Sequence, residues 1–493
     1  MNSSNLVITG VGVVSSIGLG REAFTRSLMA GESGLSRLSE SASMLNEHVF
    51  RRYRSAGDDV VLDAETAVVA GVMDFDAKRY VKPRKALKVM CREIQTAYAA
   101  SSLAVEEAGL QGYLPAEPLE TDSPSGQTSK TDRLGSIARP RKRICYTQGG
   151  KIQSDRIGTV FGSELFYGPP DELSDAFAES VNERGDFDAS YFGNAAMRRI
   201  TPLWLLKYLP NMPACHYSIV LNAHGPNNSI TVGDTSGHAA LIEACGYLQR
   251  DVADFLVVSA TGTRLNATRS LFTEDQPLAT VVDPLWRSSR PHALDANGLV
   301  RGEGAGSLLV ERADTASARG VTPIARVLGY ASRFIASNSF ANGDRNTDLR
   351  HDAGRGSAAA IAVAMRGAMQ HANITADQIG GLVGHAAGDP VIDACEREAI
   401  GEVLPGVPLT LPISLLGHCG AASGMMGILA GCVILQTGQI PPVPHAEVCN
   451  AVAVPSTTRL NVSDQVRDLE KRVVMVISHT SPGNATAVIL ASP

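Results

Sequence analysis

The feature that most restricts how this chain can fold is a pattern that occurs twice. Near the middle, 230–233 reads as a strand, 235–249 as a helix and 253–260 as a strand. Further on, a strand at 382–384 leads to His385, followed by a helix at 393–403, a strand near Leu411 and a helix at 420–436. A strand pair at 473–478 and 485–490 closes the chain. Strand-helix-strand units in two successive halves predict a duplicated α/β architecture with helices on both sheet faces. The halves are expected at 1–275 and 276–493.

The first half opens with a β-type run, 6–9, entering a glycine-rich turn and a helix over 22–30. Its Gly10-x-Gly12 spacing is only superficially that of a dinucleotide-binding turn, because the full GxGxxG pattern is not met. Ala86, Met90, Ile94, Ala97, Ala104 and Ala108 recur at helical spacing and stop at Gly109. From 111 to 155 the chain is rich in Pro, Ser, Thr, Gly and charge, which predicts a disordered surface insertion. Its basic run Arg139-Pro140-Arg141-Lys142-Arg143 reads as a solvated face or as a docking patch for an acidic partner. A strand resumes at 156–162.

Composition narrows the function. Apolar residues make up 44% and charged residues 19% of the 493, which is globular usage. A net charge of −6 repels a polyphosphate backbone, so nucleic acid is a poor ligand. The longest apolar stretch, 424–435, is shorter than the about 20 residues a membrane span requires, and a cytoplasmic protein is expected. Eight cysteines at 91, 145, 215, 245, 395, 419, 432 and 449 form no CxxC pair, so reduced thiols are expected and no metal site is suggested.

The stretch Gly225-Pro226-Asn227-Asn228-Ser229-Ile230-Thr231-Val232-Gly233-Asp234-Thr235-Ser236-Gly237, with Ala253-Asp254 downstream, resembles the nucleophile region of the β-ketoacyl-acyl-carrier-protein synthases. So do Val7-Ile8-Thr9-Gly10-Val11-Gly12, Asn211-Met212-Pro213-Ala214, and Gly298-Leu299-Val300-Arg301-Gly302-Glu303-Gly304-Ala305-Gly306. Gly417-His418-Cys419-Gly420-Ala421-Ala422-Ser423-Gly424 and Gly483-Asn484-Ala485 complete the set, which spans nearly the whole chain outside 111–155. The resemblance implies a thiolase-like duplicated fold, five layers α-β-α-β-α with two mixed sheets. It implies no cofactor, an acyl carrier protein bearing an acyl or malonyl thioester as partner, and a homodimer or a heterodimer with an active synthase.

The family chemistry uses a cysteine thiolate at a helix start to accept an acyl group, and two histidines that assist decarboxylation of a malonyl thioester. At the cysteine position stands Asp234, which cannot form a thioester. The bland reading of Asp234 is a helix N-cap. The two histidines map onto His385 and His418, the family lysine five residues before the second histidine onto Ile413, and the glycine-rich gating loop onto His479-Thr480-Ser481-Pro482. Thr235, Ser236 and Thr480 are the substrate-binding candidates. A rescuing nucleophile would be Ser236 or Thr235 with a histidine base, or Cys419. These departures imply a non-condensing partner in fatty-acid or polyketide assembly, akin to the chain-length factors that pair with an active synthase. The alternatives are a malonyl-thioester decarboxylase using His385 and His418, and a still active acyltransferase.

Overall fold

A computed structural model describes residues 5–37, 68–72, 75–111, 152–168, 171–266, 268–269, 277–337, 354–449 and 459–493. Nearly all of the 111–155 insertion, with its basic run, lies outside them. In the first half, strands β1 (Leu6–Ser15), β2 (Ile157–Gly162), β3 (Asn227–Ile230), β4 (Phe255–Thr263) and β5 (Arg301–Arg312) pair in the order β3-β2-β4-β5-β1. In the second, β6 (Ala325–Phe334), β7 (Gly381–Val383), β8 (Leu409–Thr410), β9 (Val473–His479) and β10 (Asn484–Ala491) pair in the order β8-β7-β9-β10-β6. Both are the same order, third-second-fourth-fifth-first, and in both the fifth strand is antiparallel to its neighbours while the second, third and fourth run parallel. The two mixed sets join edge to edge through Leu6↔Val327, Val7↔Arg326 and Ile8↔Ala325, so the hydrogen-bonded ladder is continuous. The changeover between the two strand sets falls after Arg312, where β5 ends, and before Ala325, where β6 begins.

Helices fill three layers. On one outer face, α1 (Arg92–Glu107) packs on β1, β4 and β5, with α2 (Met212–Leu221) beside it. Between the two sets lie α3 (Ser236–Gln249) and α6 (Ser423–Thr437), each touching strands of both. On the far face, α4 (Ala358–Ala372) covers β6 and β10, and α5 (Pro390–Val403) packs against α4. The segment Gly420–Thr437 is apolar and long enough to pass for a membrane span, but 83% of it is buried inside the protein. A helix that is apolar on every side belongs to a core, and this one is the central layer.

The Gly10-x-Gly12 pattern sits inside β1, not in a turn. A Cβ on Gly12 would lie 1.9 Å from the Ala100 carbonyl oxygen of α1, so these glycines let helix and strand close up. The helix expected over 86–108 is divided: a 3-10 segment, Arg84–Val89, precedes α1.

Asp254, just ahead of β4, ties three strand ends together. It accepts hydrogen bonds from Arg156 Nε at 3.1 Å and Nη2 at 2.7 Å, ahead of β2, and from Arg312 Nη2 at 2.5 Å, at the end of β5. Burial pushes its pKa up, and the two guanidiniums outweigh this and hold it below the usual carboxylate range. Asp254→Ala leaves Arg156 without its buried counter-charge and is expected to cost about 3–5 kcal/mol in chemical denaturation. A depressed folded-state pKa contributes stability above the unfolded value, and that contribution is lost as pH falls through the folded one. The gap between wild type and variant therefore narrows on acidification.

Candidate active site

The site is built on a tight elbow between β3 and α3. Gly233 takes the left-handed conformation, φ 66°, that a side chain resists. Two hydroxyls then lock the turn. Thr235 Oγ1 donates to the Val232 carbonyl at 2.8 Å, while Ser236 Oγ donates to Gly233 O at 2.6 Å and accepts from Val232 N–H at 3.0 Å. Neither hydroxyl meets an imidazole in these bonds, so both hold backbone, and the rescue by Ser236 or Thr235 finds no base. Thr480 covers the elbow: a Cβ on Gly233 would lie 3.2 Å from its methyl group.

The elbow turns Asp234 away from capping. No side chain caps α3 at its N-terminus. Instead Asp234 Oδ1 accepts from Arg264 Nη2 at 3.0 Å, and Oδ2 pairs with His418 Nε2 at 3.1 Å. Arg264 Nε also reaches His418 Nδ1 at 3.4 Å. A donor at Nδ1 favours the tautomer with its proton on Nε2, which then donates to the carboxylate. Burial alone would raise the Asp234 pKa, but His418, Arg264 and His385 hold it far below the usual range. It is an ionised, paired carboxylate.

His385 lies beside His418, with ring centroids 6.1 Å apart, and beside His479 at 5.1 Å. Its backbone N–H donates to Glu396 Oε2 at 2.9 Å, while its Nε2 is buried without a hydrogen-bond partner among the described residues. Burial, then His479, push its pKa down to about 3, so the ring is neutral. Glu396 also bonds His479 Nε2 at 2.6 Å and His292 Nε2 at 3.1 Å. Ile413 packs with Leu299 and Ala387 in a small apolar cluster. Cys419 is no substitute nucleophile: its Sγ faces the Gly417 and Leu416 carbonyls at 3.5 and 3.8 Å, and burial pushes the thiol far above its ordinary pKa.

Arg264 and Glu164 escaped sequence reading, and His479 was read only as part of the gating-loop position. Glu164 pairs with Arg269 at 3.0 Å and with Arg264 at 3.7 Å, backing the guanidinium that holds Asp234. A signal was available. Glu164, Arg264, His385 and His479 stand at or just beyond the ends of β2, β4, β7 and β9, and carboxyl ends of parallel strands are where α/β folds place their sites. The antiparallel β5 begins at the same place, where Val300 O and Gly302 N bond the backbone of His418. The glycine-rich motif at 298–306 thus seats the second histidine. Asp234, His385 and His418 come together as a group whose ligand atoms lie within 4.8 Å of one another, although no metal site was suggested by the sequence.

Comparison with known proteins gives the family. The model for the β-ketoacyl synthase N-terminal domain matches residues 3–117 and 151–316, and that for the β-ketoacyl synthase C-terminal domain matches 335–447. The chain belongs to the β-ketoacyl synthase family. The 3-oxoacyl-[acyl-carrier-protein] synthase 2 of Vibrio cholerae is 25% identical over 452 residues, covering 90% of this chain and 88% of that one. The protein of the same description from Staphylococcus aureus is 28% identical over 254 residues, 50% of this chain and 60% of that one. Among solved structures, a β-ketoacyl synthase from Burkholderia phymatum superposes with a TM-score of 0.71 at 19% identity, over 99% of this chain and 100% of that one. The ishigamide ketosynthase/chain length factor gives 0.70 at 21% identity, over 99% of both. A type II polyketide ketosynthase bound to its acyl-carrier protein gives 0.69 at 17%, again over 99% of both. This β-ketoacyl synthase family member therefore has the thiolase-like fold.

Proposed function

We propose that this β-ketoacyl synthase family protein is a cytoplasmic, non-condensing partner of an active synthase in fatty-acid or polyketide assembly, comparable to a chain-length factor. The observation that carries the reading is Asp234, clamped by Arg264 and His418 at the elbow where the family resemblance calls for a thiol. The likeness to a ketosynthase/chain length factor supports it. So does β3, the end strand among the described residues, whose neighbour α2 exposes Ile219 (75%) and Val220. An unpaired strand edge beside exposed apolar side chains favours association with another chain of similar fold. Co-expressed with synthases from its own genome, the protein should co-purify with a cysteine-bearing homologue in equal amounts. A homodimer alone would contradict this.

A carrier protein has a place to dock. Lys78, Arg79, Lys82, Arg84, Lys85 and Lys88 are all exposed within one short segment ahead of α1, in a chain whose net charge is −6. Such a cluster attracts an acidic partner and raises its on-rate. Replacing Arg84, Lys85 and Lys88 by Glu is expected to weaken binding of acyl carrier protein about tenfold or more at low salt. The difference should shrink as salt screens it. Unchanged affinity in surface plasmon resonance would locate docking elsewhere.

The closeness of His385 and His418 supports a second reading, decarboxylation of a malonyl thioester without acyl transfer. Asp234 opposes it, since an ionised carboxylate repels that of the malonyl group. Carbon dioxide release from malonyl carrier protein no faster than in His418→Ala would remove this reading.

A further inference from the structure

We propose that Asp234, His385 and His418 form a binding site for one first-row divalent cation of the Zn²⁺ class. This goes beyond the partner reading and does not rest on it. The three side chains are buried, at 8%, 4% and 2% exposure, and their ligand atoms lie within 4.8 Å of one another. Two neutral imidazoles and a carboxylate are the donor set of several catalytic metal sites, which leave a further position open to water or substrate. Asp234 Oδ2 and His418 Nε2 stand 3.1 Å apart, close to the separation of adjacent ligands that each sit about 2 Å from an ion. His385 supplies the independent observation. Its Nε2 is buried with no hydrogen-bond partner among the described residues, and an orphaned buried nitrogen is costly unless something binds it.

Arg264 sets the terms of occupancy. Its bond to Asp234 Oδ1 holds the carboxylate from behind and turns Oδ2 toward His418 Nε2, the side on which an ion would replace their hydrogen bond. Its Nε, at 3.4 Å from His418 Nδ1, opposes the tautomer a metal needs, in which Nδ1 carries the proton and Nε2 offers its lone pair. Loading therefore requires the guanidinium to lean toward Glu164, already 3.7 Å from its Nη1. Arg264 and the cation compete for the same carboxylate and ring. A bound ion would hold a water or a thioester carbonyl oxygen at its open position.

The test uses the full chain stripped with chelator and then titrated with Zn²⁺ by calorimetry and with Co²⁺ by visible absorption. One ion per chain is expected, with the d–d spectrum of a nitrogen- and oxygen-ligated, low-coordinate Co²⁺ centre. His385→Ala and Asp234→Asn should each weaken binding a hundredfold or more, and Arg264→Gln should tighten it tenfold or more. Circular dichroism checks that each variant is folded, and a metal-dependent rise in Tm of Arg264→Gln gives a second readout should that variant be unstable. Absence of saturable uptake by the wild-type chain overturns the proposal. Uptake unaffected by His385→Ala and Asp234→Asn, or seen only in Arg264→Gln, overturns it as well.

Discussion

Arg264→Met is expected to destabilise the protein by about 3–5 kcal/mol, measured by chemical denaturation, because it strips a buried carboxylate of its cation. The guanidinium donates to Asp234 Oδ1 at 3.0 Å and lies 3.7 Å from Glu164, and both acids are buried. Glu164 keeps Arg269 at 3.0 Å, so the cost falls mainly on Asp234. His418 alone then faces a charge that burial disfavours. Adding Asp234→Asn to Arg264→Met removes the orphaned charge, and the pair should recover about 1–3 kcal/mol relative to the sum of the single losses. Additive losses would mean that the guanidinium and the carboxylate do not act on each other.

Asp234→Cys should convert a chain that takes up no acyl group into one that takes up some. The elbow would present the new thiol at the start of α3, where the helix N-terminus, Arg264 and His418 each favour a thiolate. Transfer is then thioester to thioester, nearly balanced in energy. For the wild-type carboxylate the same transfer would exchange a thioester for a mixed anhydride, which is uphill, and both carboxylate oxygens are already engaged. Uptake by the variant should stay well below one acyl group per chain, because Ile413 and the His479-Thr480-Ser481-Pro482 turn remain. That turn is fastened: Gly356 N donates to Ser481 O and Ser337 N to Pro482 O, at 2.7 and 2.9 Å. Full stoichiometric acylation would show that neither departure matters.

Much of this architecture was legible because apolar periodicity is a local signal. The helix over 235–249 and the strands near 253–260, 473–478 and 485–490 appear within a residue or a few of where the pattern put them. Strands β5 and β6 were not read as strands. β5 carries Gly302, Gly304 and Gly306, which local propensity scores against a strand. Tertiary packing reverses that, since a Cβ on Gly302 would lie 2.7 Å from Leu416 O in the loop that carries His418. At the site, Asp234, His385 and His418 were found from motif spacing. Arg264 and Glu164 were not, because their contacts join 264 to 234 and 418, and 164 to 264 and 269, across separate strand ends. Nothing in the neighbouring residues announces such pairs. The capping role considered for Asp234 was a sound local reading that Arg264 and His418 outcompete.

The central claim is that position 234 presents a paired carboxylate where acyl transfer needs a thiol. Intact-mass measurement of the wild-type chain after incubation with excess acyl-carrier-protein thioester, followed by peptide mapping, tests it most directly. The wild-type mass should be unchanged, and a minority of Asp234→Cys chains should carry an acyl group, on the peptide that contains residue 234. A stable adduct on the wild-type chain, on Asp234, Ser236, Cys419 or any other residue of the site, would contradict it.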